Sequence, residues 1–236
     1  MPHMPSQTPR YALYFAPETG SAWWIAGCRW LGRDPATMQT LAQPALSGIT
    51  PAVQQALTRQ ARRYGFHATL KAPFRLAPGC SAAGLEQALA AFCARQSPLS
   101  VPAPQVQWMG RFLALRPGAD SAELDALAQA CVSAFDRFRA PPGAAEPARR
   151  RQAALSPRQQ QLLQRWGYPY TEEEFRFHLT LSDPIPEHCA AWQAAASMHF
   201  QSAPALSVSA IALFCEAAPG ADFQLLRQFR FGETSA

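Results

Sequence analysis

Two octapeptides, FHATLKAP at residues 66–73 and FHLTLSDP at residues 177–184, decide how this chain of 236 residues folds. They share Phe, His, Thr, Leu and Pro at identical spacing. We refer to them as the first and the second copy. Their separation along the chain far exceeds the roughly 20 to 50 residues of a solenoid repeat, so the pair predicts two related lobes rather than an array.

Both copies show the alternation of a β-strand, in which successive side chains point to opposite faces. One face is polar, and its predicted members are His67, Thr69 and Lys71 in the first copy and Arg176, His178, Thr180 and Ser182 in the second. The other face is apolar and is expected to pack in the core, with Phe66, Ala68, Leu70, Phe177, Leu179 and Leu181. The polar faces could simply meet water on an open antiparallel sheet. Because the pattern is duplicated, we favour an arrangement in which a pseudo-twofold axis brings both imidazoles and both hydroxyls together.

Strand-like and helical patterns are interleaved along the rest of the chain. The strand-like runs are residues 11–15, 66–74, 106–115, 175–181, 206–214 and 223–231. Helical patterns, several of them opened by Ser, Thr or Pro, cover about residues 21–31, 51–63, 82–95, 121–138, 157–166 and 187–198.

The segment RAPPGAAEPARRRQAALSP, residues 139–157, has no hydrophobic period and is rich in Pro, Ala and Arg. This composition predicts a long surface excursion, with the Arg149–Arg151 run as a solvated charge cluster. We expect a single bilobal domain over residues 1–236, with lobes of about 10–138 and 166–231.

Composition narrows the class of protein. A hydrophobic content of 48% with 16% charged residues is typical of a folded globular chain. No apolar run reaches the roughly 18 residues of a membrane span and the start lacks a signal-peptide pattern, so we expect a soluble, cytoplasmic protein. The net charge of +5, carried almost wholly by arginine, permits anionic partners without demonstrating them. The six cysteines form no CxxC pair, which gives no support to a zinc or redox site.

Two histidines on facing strands could divide proton transfer between them. Imidazole has an ordinary pKa of about 6.5, so one ring can act as general base and the other as general acid, each role contributing about 10² to 10⁴ in rate. In-line displacement at phosphorus suits this division, because the hydroxyls of Thr69 and Thr180, aided by Lys71, could bind the non-bridging oxygens. The scheme requires neither metal nor cofactor. The sequence contains no GxSxG, GxGxxG or Walker motif that would indicate another chemistry.

The stretches YGFHATLKAPFRLA (64–77) and WGYPYTEEEFRFHLTL (166–181) resemble the paired motifs of the 2H phosphoesterase superfamily, and more closely its branch associated with phosphonate-degradation genes. The likeness runs over about residues 10–231. It implies an α+β, bilobal pseudo-twofold duplication, with two antiparallel sheets lining a central cleft and helices on the outside. It further implies that His67 and His178 are catalytic and that Thr69 and Thr180 bind phosphate. Members of the superfamily hydrolyse or form cyclic phosphates or 2′-5′ linkages.

These observations predict a metal-independent phosphodiesterase acting on a cyclic phosphate, either a small nucleotide or a phosphorylated ribose in phosphonate catabolism. Lys71 and Arg176 would suit a second phosphate on the substrate, and Tyr64 is a candidate wall of the site. The expected partner is a small phosphorylated molecule, a nucleotide or an RNA end, with no membrane and no stable protein partner. The alternatives are a module that binds RNA or nucleotide ends without turnover, and a 2′-5′ RNA ligase-like activity through the same residues. Sequence leaves open which histidine is the base.

Overall fold

The computed structural model describes residues 8–141, 155–185 and 189–233. Within these ranges the chain forms seven α-helices and nine β-strands. The helices are α1 (Ala22–Leu31), α2 (Pro51–Leu57), α3 (Arg59–Tyr64), α4 (Ala82–Cys93), α5 (Ala122–Ala134), α6 (Pro157–Trp166) and α7 (Ala190–Phe200). Short 3₁₀ turns cover Asp136–Phe138 and Glu172–Glu174.

The strands form antiparallel sheets, one for each copy of the motif. They are β1 (Arg10–Phe15), β2 (Ala68–Phe74), β3 (Leu99–Val101), β4 (Gln105–Met109), β5 (Phe112–Arg116), β6 (Leu179–Thr180), β7 (Leu206–Val208), β8 (Ala210–Glu216) and β9 (Phe223–Arg230). A four-stranded sheet has the order β2-β1-β8-β9, and a three-stranded sheet has the order β4-β5-β6. Strands β3 and β7 form a separate pair. The predicted α+β fold class is confirmed.

Each copy of the motif lies at the edge of its sheet, β2 in the first and β6 in the second. The sheets do not follow the expected lobes of residues 10–138 and 166–231, because β8 and β9 pair with β1 while β4 and β5 pair with β6. Each half of the chain therefore contributes strands to the other half's sheet. Strand pairing is a non-local contact, so a division of the chain at residues 139–157 could not reveal this exchange.

Several predicted elements are shorter or divided. The run 106–115 is a hairpin, since Gly110 with a φ of 58° turns β4 into β5. The run 206–214 is split between β7 and β8, and the helix predicted over 51–63 is split at Thr58 into α2 and α3. Of the strand predicted over 175–181, only Leu179–Thr180 pairs with a neighbour. The strand β3 was not predicted.

The excursion predicted over 139–157 lies mainly outside the described residues, as do residues 187 and 188 of the last predicted helix. Among the residues described, no helix combines the length and apolarity needed to cross a membrane.

Packing of the apolar faces holds both copies in place. Phe66, Leu70, Phe177, Leu179 and Leu181 all belong to the main hydrophobic core, as the alternation predicts. A close approach between the first copy and α1 is possible only because residue 27 is glycine: a Cβ there would lie 2.0 Å from the Phe66 ring.

Hydrogen bonds also tie the end of the second copy to the elements that precede the first. The indole of Trp30 on α1 donates to the carbonyl oxygen of Leu181 at 2.8 Å. The carboxylate of Asp183 accepts from the amides of Gln60 and Ala61 and so caps the start of α3. These bonds hold the end of the second copy to α1 and α3, between residues more than a hundred positions apart.

Candidate active site

His67 immediately precedes β2 and is half-buried. Its Nδ1 lies 2.8 Å from the carbonyl oxygen of Gly65. Because a carbonyl can only accept, Nδ1 carries the proton and Nε2 of the neutral ring has a free lone pair. Nε2 lies 3.3 Å from Oγ1 of Thr69. The turn that presents this carbonyl needs glycine, since Gly65 has a φ of 85°.

His178 has the same arrangement immediately before β6. Its Nδ1 lies 2.7 Å from the carbonyl oxygen of Arg176, again two residues earlier, and Nε2 is again the nitrogen left for a ligand. Thr180 pairs with Ala114 of β5 and is half-buried, like Thr69. The two copies thus present the same pair of groups, an imidazole Nε2 and a hydroxyl.

The structure brings the two copies towards each other. Strands β2 and β6 are in direct contact although they belong to different sheets. His178 also contributes to the lowered pKa of His67, so a positive charge on one ring would act on the other. The strands that carry Thr69 and Thr180 are therefore neighbours, and the convergence of the four side chains on one ligand stays a prediction.

Both imidazoles are held mainly in the neutral form. Burial lowers the pKa of His67 to about 4, with the bond to the Gly65 carbonyl opposing the shift and the His178 charge adding to it. Burial also lowers the pKa of His178, where the bond to the Arg176 carbonyl opposes the shift and the positive charge of Arg116 adds to it. Two neutral rings with unprotonated Nε2 atoms can each accept a proton, and an anionic substrate beside them would favour the protonated form.

Aromatic residues surround His67. The ring of Tyr14 on β1 stacks on the imidazole with centroids 3.7 Å apart. Tyr64 lies beside the same imidazole at 6.4 Å and stacks on Phe223 of β9 at 4.9 Å. The guanidinium of Arg63 lies over Tyr64 at 4.9 Å. The predicted wall residue Tyr64 is thus next to the catalytic candidate, in a small aromatic cluster.

His178 has different neighbours. The ring of Phe112 lies 5.6 Å from its imidazole. Pairing of Leu115 with Leu179 places Arg116 opposite His178, and directly opposed residues of an antiparallel pair have side chains on the same face. The imidazole of His178 therefore has beside it a cation without a carboxylate partner among the described residues, whereas that of His67 lies in an aromatic cluster whose cation, Arg63, pairs with Glu216.

The expectation that Lys71 shares the face of His67 and Thr69 is wrong. The register shifts between the pairs Tyr14–Thr69 and Leu13–Lys71, which inserts an extra residue into β2 and reverses the alternation. Lys71 consequently points to the core side, where it is 3% exposed. Its ammonium donates to Asp136 at 3.1 Å and to the carbonyl oxygen of Val132 at 3.0 Å.

Arg176 contributes to the site through its backbone carbonyl oxygen, which binds Nδ1 of His178. Its side chain is exposed and donates to the carbonyl oxygens of Glu173 and Phe175 at 2.7 and 2.6 Å. Ser182, also expected on the polar face, is buried and its Oγ accepts from the amide of Leu113 at 2.9 Å. Neither side chain is brought to the imidazole rings by these contacts.

Sequence reasoning missed Tyr14 and Arg116, although a signal for Arg116 was present. If the turn at Gly110 had been recognised, alternation from Phe112 would have placed Ala114 and Arg116 on one face of β5. Their position opposite the second copy is a tertiary contact that the sequence does not state. Among the residues described, no group of three His, Cys, Asp or Glu side chains is placed to hold a metal ion.

Comparison with known sequences places this chain in a family. Residues 69–224, well over half of the chain, match the family described as "Protein of unknown function (DUF1045)". The chain belongs to the DUF1045 family. The matched region of this DUF1045 member includes Thr69, His178 and Thr180 and begins two residues after His67.

Two curated relatives of this DUF1045 chain are described as ribose 1,5-bisphosphate phosphokinase PhnN. The protein from Janthinobacterium sp. (strain Marseille) is 46% identical over 221 residues, which cover 91% of this chain and 49% of that protein. The protein from Laribacter hongkongensis (strain HLHK9) is 38% identical over 219 residues, covering 92% and 51%. The chain therefore spans about half the length of these relatives. Among solved structures, E. coli LigT complexed with 3′-AMP matches with a TM-score of 0.38 and 14% identity, covering 96% of this chain and 99% of that one.

Proposed function

We propose that this chain is a phosphodiesterase of the 2H type that hydrolyses a cyclic phosphate by general acid-base catalysis. The observation that carries the proposal is the matched pair of imidazoles. In each, Nδ1 is bound to a carbonyl oxygen two residues earlier and Nε2 is left for a ligand, next to a threonine of the same strand. The chemistry needs this arrangement, because attack and departure at phosphorus occur on opposite sides and each requires one proton transfer.

We assign the base to His67. Its lowered pKa keeps Nε2 free to accept a proton at every pH above about 4. In the proposed reaction Nε2 takes a proton from water as the water oxygen attacks phosphorus. The bond between phosphorus and one ring oxygen of the cyclic phosphate breaks, and that oxygen receives the proton held on Nε2 of His178. The product is a phosphate monoester with a free hydroxyl, and the proton gained by His67 returns to His178 through solvent.

The two threonine hydroxyls bind the non-bridging oxygens in this scheme. Negative charge on those oxygens must be held by donors that are already in place, and one such donor typically contributes a large part of the rate. Thr69 and Thr180 each lie on a strand, two residues after a histidine that immediately precedes that strand, so the local backbone sets the distance between acid-base group and donor. The cluster of Tyr64 and Phe223 would form the wall next to the His67 half-site.

A phosphorylated ribose is the first substrate to test. The relatives are named for a reaction on ribose 1,5-bisphosphate, and this chain covers only about half of each. Because this chain has no Walker loop, we infer that the phosphokinase activity belongs to the other half of those proteins. Two activities in one polypeptide commonly act on related molecules, which favours a ribose cyclic phosphate and a role in phosphonate catabolism.

The decisive experiment is a screen of cyclic phosphates with purified protein, followed by phosphorus NMR of the products. The set should include ribose 1,2-cyclic phosphates and nucleoside 2′,3′-cyclic phosphates. We expect turnover of at least one compound, cleavage of a single ester bond, and no loss of rate in EDTA. Tight binding of a cyclic nucleotide without turnover of any compound would favour the module that binds nucleotide ends. Formation of a 2′-5′ linkage from the same compounds would favour the ligase direction.

A further inference from the structure

Arg116 at the end of β5 carries a charge that nothing in the described part of the chain neutralises. Its side chain is half-buried, its Nε is buried without a hydrogen-bond partner, and Nη1 makes one long bond of 3.3 Å to Oε1 of Gln107. Within residues 8–141, 155–185 and 189–233, no carboxylate forms an ion pair with it. Buried polar groups are normally satisfied, and a guanidinium withdrawn from water without an anion is costly.

The groups beside Arg116 on the same sheet face are neutral. Gln105 pairs directly with Arg116, and Gln107, two residues along β4, pairs with Ala114, the residue that pairs with Thr180. The amide of Gln107 donates to Oε1 of Gln105 at 3.3 Å. The two amides and the guanidinium form a row of polar groups, and His178 is the next group in that row. It can offer several donors to an anion and no negative charge to repel one.

The corresponding place in the first copy is empty of charge. Pairing of Phe15 with Ala68 puts Ala16 opposite His67, as Arg116 is opposite His178. Ala16 is buried and belongs to a small apolar cluster with Tyr14. On the His67 side, Arg10 and Arg63 both pair with the carboxylate of Glu216, whereas Arg116 has no carboxylate partner among the described residues. The phosphoryl group that reacts must sit between the copies, so Arg116 is placed for a group that lies off the centre.

We propose that Arg116, assisted by Gln107, binds a second phosphate group of the substrate on the His178 side of the cleft. The substrate is then a cyclic phosphate that also carries a separate phosphate monoester. This inference rests on the proposed function for the reacting phosphate, but the recognition of the second phosphate is a property of Arg116 that binding alone can reveal. Arginine suits the task, because its planar fork matches two phosphate oxygens.

Binding of that phosphate would also favour the protonated form of His178, the proposed general acid. The positive charge of Arg116 lowers the pKa of His178, together with the larger effect of burial. A phosphate dianion on Arg116 would offset this charge and favour the protonated ring. A substrate that carries the second phosphate would thus favour the protonated form of His178, which is the form that protonates the leaving oxygen.

The kinetic test compares Arg116→Met with the wild-type chain on two matched pairs of compounds. One pair is ribose 1,2-cyclic phosphate with and without a 5-phosphate, and the other is adenosine 2′,3′-cyclic phosphate with and without a 5′-phosphate. For the doubly phosphorylated compounds we expect the variant to lose about 10- to 100-fold in kcat/KM, the typical contribution of a charge-assisted hydrogen bond. For the compounds without the second phosphate we expect no such loss, because removing the charge of Arg116 favours the protonated form of His178. An equal loss on both members of each pair would place Arg116 at the reacting phosphate and overturn the proposal.

A binding test separates this proposal from the proposed reaction. Calorimetric titration with ribose 5-phosphate, and with ribose as the matched neutral probe, needs no turnover. Wild-type chain should bind the phosphate better than the neutral sugar, and Arg116→Met should lose that preference. Equal binding of both probes by the wild-type chain, or an unchanged preference in the variant, would refute the role of Arg116 even if cyclic phosphates were hydrolysed.

Control variants guard against a structural effect. Arg95→Met removes the same charge from an exposed position just beyond α4, on the helix side of the four-stranded sheet, and should change neither measurement. Arg116→Lys keeps the charge but not the fork and should give a smaller loss. If Arg116→Met proves unfolded by circular dichroism, Gln107→Leu should show a weaker loss confined to the doubly phosphorylated compounds, and its absence would count against the proposal.

Discussion

The two copies of the motif have the same internal geometry and different surroundings. In both, the histidine binds a carbonyl oxygen two residues earlier through Nδ1. Opposite the threonine, however, the first copy has Tyr14 and the second has Ala114. Opposite the histidine, the first has Ala16 and the second has Arg116. The repeated octapeptide therefore supplies two imidazoles held in the same way, and neighbouring strands of different sequence give them different surroundings.

The largest effect should come from removing either imidazole. We expect His67→Ala and His178→Ala each to lower kcat by about 10² to 10⁴, because each role contributes a factor of that size. The double variant should lose little more than the worse single variant, since the two groups act in one step. Steady-state rates on the best compound of the screen would measure this. A fully active His178→Ala protein would show that the copies do not share the reaction.

The pH profile distinguishes the two histidines. A base must be neutral, so kcat/KM of the wild-type chain should rise as pH increases through about 4, the lowered pKa of His67. An acid must be protonated, so kcat/KM should fall as pH increases through the pKa of His178, which lies below the ordinary value of about 6.5. We expect the residual activity of His67→Ala to lose the rising limb and that of His178→Ala to lose the falling limb. If His67→Ala lost the falling limb and His178→Ala the rising limb, then His178 would be the base and His67 the acid.

The next effect concerns Lys71, which corresponds to Ser182 in the second copy. Asp136→Ala should lower the free energy of unfolding by about 3 to 5 kcal/mol, because it leaves a buried ammonium without its carboxylate. Lys71→Met removes the charge and keeps the shape, and should cost much less in stability. Urea unfolding followed by fluorescence would measure both.

The same variants test where Lys71 acts. Since Lys71 points to the core, Lys71→Met should leave the rate on the best substrate close to that of the wild-type chain. A large rise in KM with unchanged stability would instead mean that Lys71 binds substrate. In that case the register shift in β2 would not direct the side chain of Lys71 to the core.

The smallest effect concerns Asp183, which corresponds to Ala72 in the first copy. Asp183→Ala removes the acceptor for the amides of Gln60 and Ala61 and should destabilise the fold by about 1 kcal/mol, the usual loss of a helix cap. Asp183→Asn keeps one acceptor oxygen and should restore most of that loss. Thermal melts of the two variants would decide, and identical behaviour of Ala and Asn would show that the cap contributes nothing.

Much of the fold followed from local patterns. The strands β1, β2, β8 and β9 lie within predicted runs or overlap them closely, and α1, α4 and α6 begin near their predicted starts, where Ser21, Ser81 and Ser156 cap the helices. These predictions succeeded because alternation and capping are properties of a few neighbouring residues.

The errors have two causes. Lys71 was expected in the cleft because alternation was extended along β2, and a pairing irregularity with β1 reversed it. Residues 106–115 were expected to be one strand because the turn at Gly110 carries a weak signal. Arg116 was missed for the same reason. For Lys71, and for the position of Arg116 beside the second copy, the outcome depended on which strand lies next to which, and local patterns do not contain that information.

Residue types and a period of two were enough to predict two His-x-Thr segments, the burial of the apolar side of each, and a chemistry suited to proton transfer at phosphorus. The three-dimensional arrangement was needed to reveal that β8 and β9 complete the sheet of the first copy, that Lys71 faces the core, and that Tyr14 and Arg116 are neighbours of the two imidazoles. Strand pairing joins residues far apart in the chain, and these partners set the charge and burial around each histidine.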